Sequence, residues 1–363
     1  MSDLISVKMQ EGVALEIFSG GELLVAHRHT IRFHKVFGFS QIVPTPIPLV
    51  MHSFFDLASL TKPLATGRAI QCLINEGIIK VDDPVSNFIT EYKNGEKEKV
   101  TVADLLLHRS GLPAWKPYYE AIRNAASPGF LGSYAAKHAV YQMAQDEPLI
   151  AAPDTCRLYS DIGFILLGKI IEAVSQQPLD QFCTDQIFSK LKCEGPFFQP
   201  FGKERAGRFV ATEQCPWRGE VVLGKVHDDN CYVMGGVAGH AGLFGTAHAV
   251  YELLLQTSLL LGETTLASPP GRTSAACSPP AQGWDTKSPE NSSSGRFFSP
   301  ESFGHLGFTG TSIWIDPVND LVVVLLTNRV HPSRKNERIR QFRPEIHDII
   351  FQEVIGASTA YST

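Results

Sequence analysis

Paired cysteines are missing from this chain. Its seven cysteines (Cys72, Cys156, Cys183, Cys193, Cys215, Cys231 and Cys277) are odd in number, scattered, and never spaced C-x-x-C. That argues against a zinc ribbon and a disulfide framework, so free thiols in a reducing cytoplasm are expected. A charge excess of one sign is missing too. With 32 basic residues against 37 acidic ones the net charge is −5, and nucleic acid is not an expected partner. The longest aliphatic run, LVVVLL at 321–326, falls far short of the roughly 20 residues of a membrane-spanning helix. The amino terminus MSDLISVKMQEG has no basic stretch followed by an apolar run, so no leader is expected. A cytoplasmic location follows, or a periplasmic one if a leader has been removed. There is no H-E-x-x-H, no G-x-x-x-x-G-K-[ST] and no G-x-G-x-x-G between strand and helix. No metal or other cofactor is expected.

What is present suits a large soluble enzyme or binding protein. The chain has 363 residues, 44% of them apolar, more than one ordinary domain requires. A short helix is expected through Leu4, Ile5 and Met9, then strands over 22–27 and 31–38. A helical stripe of Leu60, Leu64, Ala69, Ile70, Leu73 and Ile74 ends at Gly77. Further helices start at Thr101, with Asp104 completing a capping box, after Asp161, and at Thr246. Strand patterns return over 311–316 and 320–327 around a turn at 317–319, and a closing helix follows Pro344. The reading is a mixed α/β (α+β) fold: an antiparallel sheet with flanking helices built from both termini, plus a mainly helical middle lobe. The expected parts are a discontinuous sheet domain (1–58 and 296–363), a helical domain (59–261), and a Pro/Ser/Gly-rich connection (262–295).

The most informative segment is Ser59-Leu60-Thr61-Lys62, an S-x-x-K pattern opening a helix. At i and i+3 the hydroxyl and the amine share one face. Serine is a poor nucleophile until a neighbour takes its proton, and a buried lysine can assist in that. A helix start also offers free N–H groups for a developing oxyanion, and Pro63 fits there because the first turn does not need its N–H. In isolation the pattern reads more readily as a serine cap followed by a solvated lysine. Two further elements follow in order: Tyr159-Ser160-Asp161 before a helix, and His305-Leu306-Gly307 leading into a strand. They stand as counterparts of the S-D-N and K-T-G elements that accompany S-x-x-K in serine β-lactamases and penicillin-binding proteins.

The chain resembles the serine β-lactamase-like family, which includes class C β-lactamases, penicillin-binding DD-peptidases and esterases. The resemblance runs through FDLASLTKPLAT at 55–66, DLLLHRSGLP at 104–113, YSDIGFILLGKIIE at 159–172, GGVAGHAGLFGTA at 235–247 and FGHLGFTGTSIWIDP at 303–317. It implies that Ser59 is the acylated nucleophile, Lys62 the amine that shares its proton, and Tyr159 the general base and acid. Asp161 stands where the family usually has asparagine. An ionised aspartate can only accept hydrogen bonds, so it should hold Lys62 charged and repel a substrate carboxylate; it also suits a helix cap. His305 replaces the usual lysine and is expected to be partly charged near neutral pH. Leu306 removes a hydroxyl, while Gly307 precedes Phe308, whose N–H joins that of Ser59 as an oxyanion donor. The loop 108–111 and the glycine-rich 235–245 run read as architecture, His240 as a packed residue, and 227–230 as no metal site.

These features predict a serine hydrolase with esterase or general acyl hydrolase activity on a small acyl substrate (ester, peptide or β-lactam). A D-alanyl-D-alanine carboxypeptidase, a β-lactamase and a non-catalytic ligand-binding relative remain alternatives. The natural substrate and oligomeric state are open.

Overall fold

The computed structural model describes residues 3–125, 127, 129–203, 206–256 and 283–356. Strands β1 (Gly20–His27), β2 (Thr30–Gln41) and β3 (Ile47–Pro48) come from the amino-terminal part. The middle supplies the short β4 (Phe55–Asp56), β5 (Phe197–Phe198), β6 (Gln214–Cys215), β7 (Glu220–Val221) and β8 (Leu243–Gly245). The carboxyl-terminal part adds β9 (Asp285–Thr286), β10 (Phe303–Leu306), β11 (Ser312–Asp316) and β12 (Leu321–Thr327). Among the described residues the main sheet has seven antiparallel strands in the order β3-β2-β1-β12-β11-β10-β9. The two ends of the chain meet at its centre, where Gly21 of β1 pairs with Thr327 of β12 and His27 with Leu321.

Alternation along these strands explains why LVVVLL is apolar at every position. Leu23, Val25, Leu321, Val323 and Leu325 join one core, while Leu24, Ala26, Val322, Val324 and Leu326 join another. Both faces of these central strands are therefore covered, which removes there the usual polar face of an antiparallel sheet. The first core is closed by α1 (Asp3–Ala14) through Ile5 and Met9 and by the last helix. The second merges with the helical middle: α2 (Gly67–Asn75), α3 (Val102–Leu106), α4 (Tyr118–Asn124), α5 (Tyr134–Asp146), α6 (Asp161–Ser175), α7 (Leu179–Gln186), α8 (Asp229–Val233) and α9 (Ala247–Leu255). The fold class read from the sequence, a sheet from both termini with a helical middle, is the one observed.

Several local expectations are met and others corrected. Thr101 and Asp104 form the reciprocal capping pair at α3, and the Thr246 side chain caps α9. The last helix, α10 (Ile339–Phe351), begins before Pro344 and contains it. Its stripe of Ile339, Phe342, Ile346 and Ile350 is buried at helical spacing, and that packing outweighs the cost of an interior proline. The helix expected from residue 59 is composite: a 3-10 turn (Ala58–Leu60), a π turn (Lys62–Thr66) and then α2. Pro63 supplies no N–H, and the Gly67 N–H closes the wider turn on the Lys62 carbonyl. Within the stretch read as a connection, Asp285–Thr286 forms the edge strand β9; positions 262–282 of it lie outside the described residues. Cys277 also lies outside them, and the other six cysteines are free thiols.

Candidate active site

Ser59 sits directly after β4, on a turn that the rest of the chain fastens at several points. Asp56 is buried and accepts from the Ala58 N–H through Oδ1 (2.8 Å) and from the His227 N–H through Oδ2 (2.6 Å). Burial raises its pKa, against these hydrogen bonds, which lower it. Ala58 takes φ +48°, a left-handed conformation that costs an alanine energy and persists only when its surroundings enforce it. The Thr61 hydroxyl donates to the Ala58 carbonyl (2.6 Å) and accepts from the Leu243 N–H of β8 (3.1 Å). From the other side, Thr309 Oγ1 donates to the Asp56 carbonyl (2.8 Å) and Thr311 Oγ1 to the Leu57 carbonyl (3.2 Å). Gly307 lies in this junction. A Cβ there would approach the Leu57 carbonyl to 2.7 Å and collide with Thr311 Oγ1, so the glycine lets the end of β10 close on the serine turn.

Lys62 is fully buried, and its Nζ donates to Ser59 Oγ (2.9 Å) and to the His240 carbonyl (3.1 Å). The same atom pairs with Asp161 Oδ1 at 2.7 Å. Burial disfavours the ammonium, but the charges and hydrogen bonds of Asp161 and Tyr159 outweigh it and hold the Lys62 pKa above its ordinary value. Asp161 is the first residue of α6, and the helix is capped by Ser160, whose Oγ accepts from the Gly163 N–H (3.2 Å). The cap role open to Asp161 in the sequence thus belongs to its neighbour, because only Ser160 has the extended backbone of a cap position. The Asp161 carboxylate is spent on the lysine.

Tyr159 lies with its ring 4.9 Å from Lys62 Nζ, and its phenol takes part in hydrogen bonding with Lys62 and Ser59. Although 37% of the residue is open to the groove, burial around the phenol and the Asp161 charge push its pKa up to about 12, against the opposing pull of Lys62. The loop after α3 sets the position of this tyrosine. The His108 carbonyl accepts from the Leu158 N–H (2.8 Å), His108 Nδ1 accepts from the Ser160 N–H (3.0 Å), and the two rings lie 4.5 Å apart.

His305, Leu306, Gly307 and Phe308 form a wall of the same cleft, which has a volume of about 510 Å³ and is also lined by Ser59 and Tyr159. His305 corrects the sequence reading. It is buried, its Nδ1–H donates to the Leu306 carbonyl (2.9 Å), and burial, with Lys62 adding to it, pushes its pKa down to about 4. It is therefore a neutral ring near neutral pH rather than a partial cation. Phe308 is half exposed, and Arg329 fixes its peptide, donating from Nε to its carbonyl (2.8 Å) and stacking 4.5 Å over its ring.

The structure thus brings Ser59, Lys62, Tyr159 and Asp161 into contact and sets His305, Gly307 and Phe308 beside them. Arg329 and Asp56 were missed from the sequence, where no spacing or motif marks them. The 227–230 segment serves packing: Asp228 caps α8 and pairs with His240 (2.9 Å), and Asp229 pairs with Arg218 (2.8 Å) and Arg334 (3.0 Å). Among the described residues no cluster of three or more His, Cys, Asp or Glu side chains is arranged to hold a metal ion. None of their helices is long and apolar enough to cross a membrane.

Residues 4–346 match the family model described as Beta-lactamase. A protein of Salmonella agona (strain SL483), provisionally named a D-alanyl-D-alanine carboxypeptidase, is 32% identical over 358 residues, covering 87% of this chain and 80% of its own. Among solved structures, the octameric penicillin-binding protein homologue from Pyrococcus abyssi superposes with a TM-score of 0.71 at 20% identity, over 98% of this chain and 78% of that one. EstCE1, a hydrolase with promiscuous acyltransferase activity, superposes with a TM-score of 0.66 at 19% identity, over 94% of this chain and 97% of that one. At these identities the structural likenesses speak to fold, and the site must carry the chemistry.

Proposed function

Because this chain belongs to the beta-lactamase family, we propose that it is a serine hydrolase working through an acyl-enzyme on Ser59, with esterase or general acyl hydrolase activity. The observation that carries this reading is the contact of Lys62 Nζ with Ser59 Oγ at 2.9 Å, in a cleft where the Tyr159 phenol engages both. Lys62 is charged at rest and Tyr159 is neutral, so the reactive form is the minor species with Tyr159 as phenolate beside the ammonium. In it the phenolate takes the Ser59 proton as Oγ attacks the acyl carbonyl. The N–H groups of Ser59 and Phe308 receive the tetrahedral oxyanion. Tyr159 returns the proton to the leaving group, and water then hydrolyses the acyl ester. Asp161 keeps Lys62 in its cationic state throughout.

Neutral His305 and Leu306 supply neither charge nor hydroxyl on the β10 wall, which favours ester or other acyl substrates over those needing a carboxylate clamp there. The name of the Salmonella relative supports D-alanyl-D-alanine carboxypeptidase as the second reading. Two experiments test the proposal. A fluorophosphonate probe and a fluorescent penicillin should label the protein, and Ser59→Ala should abolish labelling. A short para-nitrophenyl ester, a chromogenic cephalosporin and a D-Ala-D-Ala peptide assayed in parallel should show ester cleavage foremost. Folded protein that takes neither label would instead be a binding module, and brisk peptide hydrolysis without ester cleavage would reverse the substrate ranking.

A further inference from the structure

The two segments that carry the oxyanion donors meet at one residue behind the cleft wall, His227. It is 4% exposed and does not line the cleft. Its main-chain N–H donates to Asp56 Oδ2 (2.6 Å), while Asp56 Oδ1 accepts from the Ala58 N–H (2.8 Å), directly ahead of Ser59. Its imidazole stacks on the Phe308 ring, with centroids 5.6 Å apart and planes 24° from parallel. His227 therefore reaches the Ser59 side of the oxyanion site through its backbone and the Phe308 side through its ring. Charged neighbours fix His227 in turn. Arg218 donates to its carbonyl (2.9 Å), and its Nε2 lies 3.4 Å from Glu213 Oε2, a carboxylate anchored by Arg334 (2.5 Å). Phe308 needs such a support. Its oxyanion N–H belongs to the peptide it shares with Gly307, whereas Arg329 holds the following peptide through the Phe308 carbonyl (2.8 Å). The stacked ring is the remaining handle on the direction of that N–H. Donors aimed in advance at the developing oxyanion lose much of their effect when displaced by about an ångström.

We propose that His227 is a positioning residue: by stacking on Phe308 while holding Asp56, it sets the N–H groups of Ser59 and Phe308 at one spacing. This rests on the hydrolase reading above. It gives the segment ahead of α8 a part in stabilising the transition state, in addition to anchoring the serine turn.

Two measurements test the proposal: kinetics on a para-nitrophenyl ester, and the affinity of phenylboronic acid, whose tetrahedral adduct with a serine oxygen stands in for the oxyanion intermediate. His227→Leu leaves the main-chain contacts in place and removes the stacked ring. It should lower kcat and boronate affinity about tenfold each, with KM changed less than about twofold. His227→Phe loses the Glu213 contact equally but keeps a flat ring, and it should recover most of both. Phe308→Leu breaks the same stacked pair from the other side, so the double variant should be no more than about twofold worse than either single one. Unchanged kcat in folded His227→Leu, a loss lying in KM alone, a phenylalanine variant no better than the leucine one, or losses that multiply in the double variant overturn the proposal. Should His227→Leu fail to fold, the half-exposed Phe308 decides: Phe308→Leu with undiminished kcat and boronate affinity overturns it, and losses of about tenfold in both support it. Ester turnover that survives in Ser59→Ala strikes the hydrolase reading itself, whereas turnover that needs Ser59 but not the His227 ring strikes only this role.

Discussion

Three side chains around Ser59 share two protons, and the proposed mechanism works through the minor arrangement of those protons near neutral pH. Tyr159 must lose its proton to act as a base, yet its pKa is pushed up to about 12. The phenolate fraction therefore grows about tenfold for each unit of pH below that value. For a neutral ester, kcat/KM should climb steeply from about pH 7 to about pH 9, and Tyr159→Phe should lower it by roughly a hundredfold or more. Asp161 contributes to the difficulty, since its charge raises both Lys62 and Tyr159. Asp161→Asn should lower both pKa values, move the rise toward lower pH, and increase the rate near neutrality on the order of several-fold. A flat profile in the unmodified protein, or a rise that moves toward higher pH in Asp161→Asn, would remove Tyr159 from the role of base. These residues were legible in the sequence because S-x-x-K and Tyr-x-Asp are local patterns with local geometry. The state of His305 was not, because its neutrality comes from burial by residues far away in the chain.

At the scale of elements, the serine turn depends on one carboxylate that no motif announces. Asp56 holds the N–H of Ala58, which keeps the strained backbone before Ser59, and the N–H of His227, which ties the turn to the segment ahead of α8. An asparagine has a single acceptor oxygen and must leave one of those buried donors without a partner. Asp56→Asn should therefore cost about 1–3 kcal/mol of stability, read as a lower denaturant midpoint with unchanged slope. Weaker fluorophosphonate labelling should accompany it in the protein that remains folded. A midpoint unchanged within error would mean that water or another donor set supports the turn. Periodicity revealed α1, α6 and α9 because their apolar stripes are regular, whereas the composite helix at 58–75 carries the same stripe over three different helical pitches. In α10 the proline rule was overridden by packing, since Ile339 and Phe342 ahead of Pro344 belong to the same buried face as Ile346 and Ile350.

For the whole molecule, the central strands of the sheet are covered on both faces, and several histidines elsewhere in the fold are enclosed as neutral rings. His305 and His347 are buried with pKa values pushed down to about 4, by burial first in both cases, and burial lowers His108 as well. In the unfolded chain the His305 and His347 rings bind protons below about pH 6.5, while in the native protein they do not until the pH reaches about 4. The unfolded state thus binds more protons across this window, so stability falls as pH falls, by up to about 1.4 kcal/mol per pH unit for each ring. Glu213 acts lower down: burial raises its pKa, but His227 and Arg334 override this and hold it at about 2. Its stabilising share is present above the usual glutamate range and is lost only as the pH falls toward 2. Thermal melts should then show the midpoint dropping between about pH 6.5 and 4, before carboxylates such as Glu213 are protonated. His347 does not itself line the cleft, but its Nδ1–H donates to the carbonyl of Ser293, which does (2.7 Å), so its effect is read from unfolding rather than from turnover. His347→Gln should start less stable yet lose stability more slowly over that window, by about one proton's worth of slope. Parallel curves for the two proteins would show that this ring is already charged in the native state and that the acid sensitivity has another source.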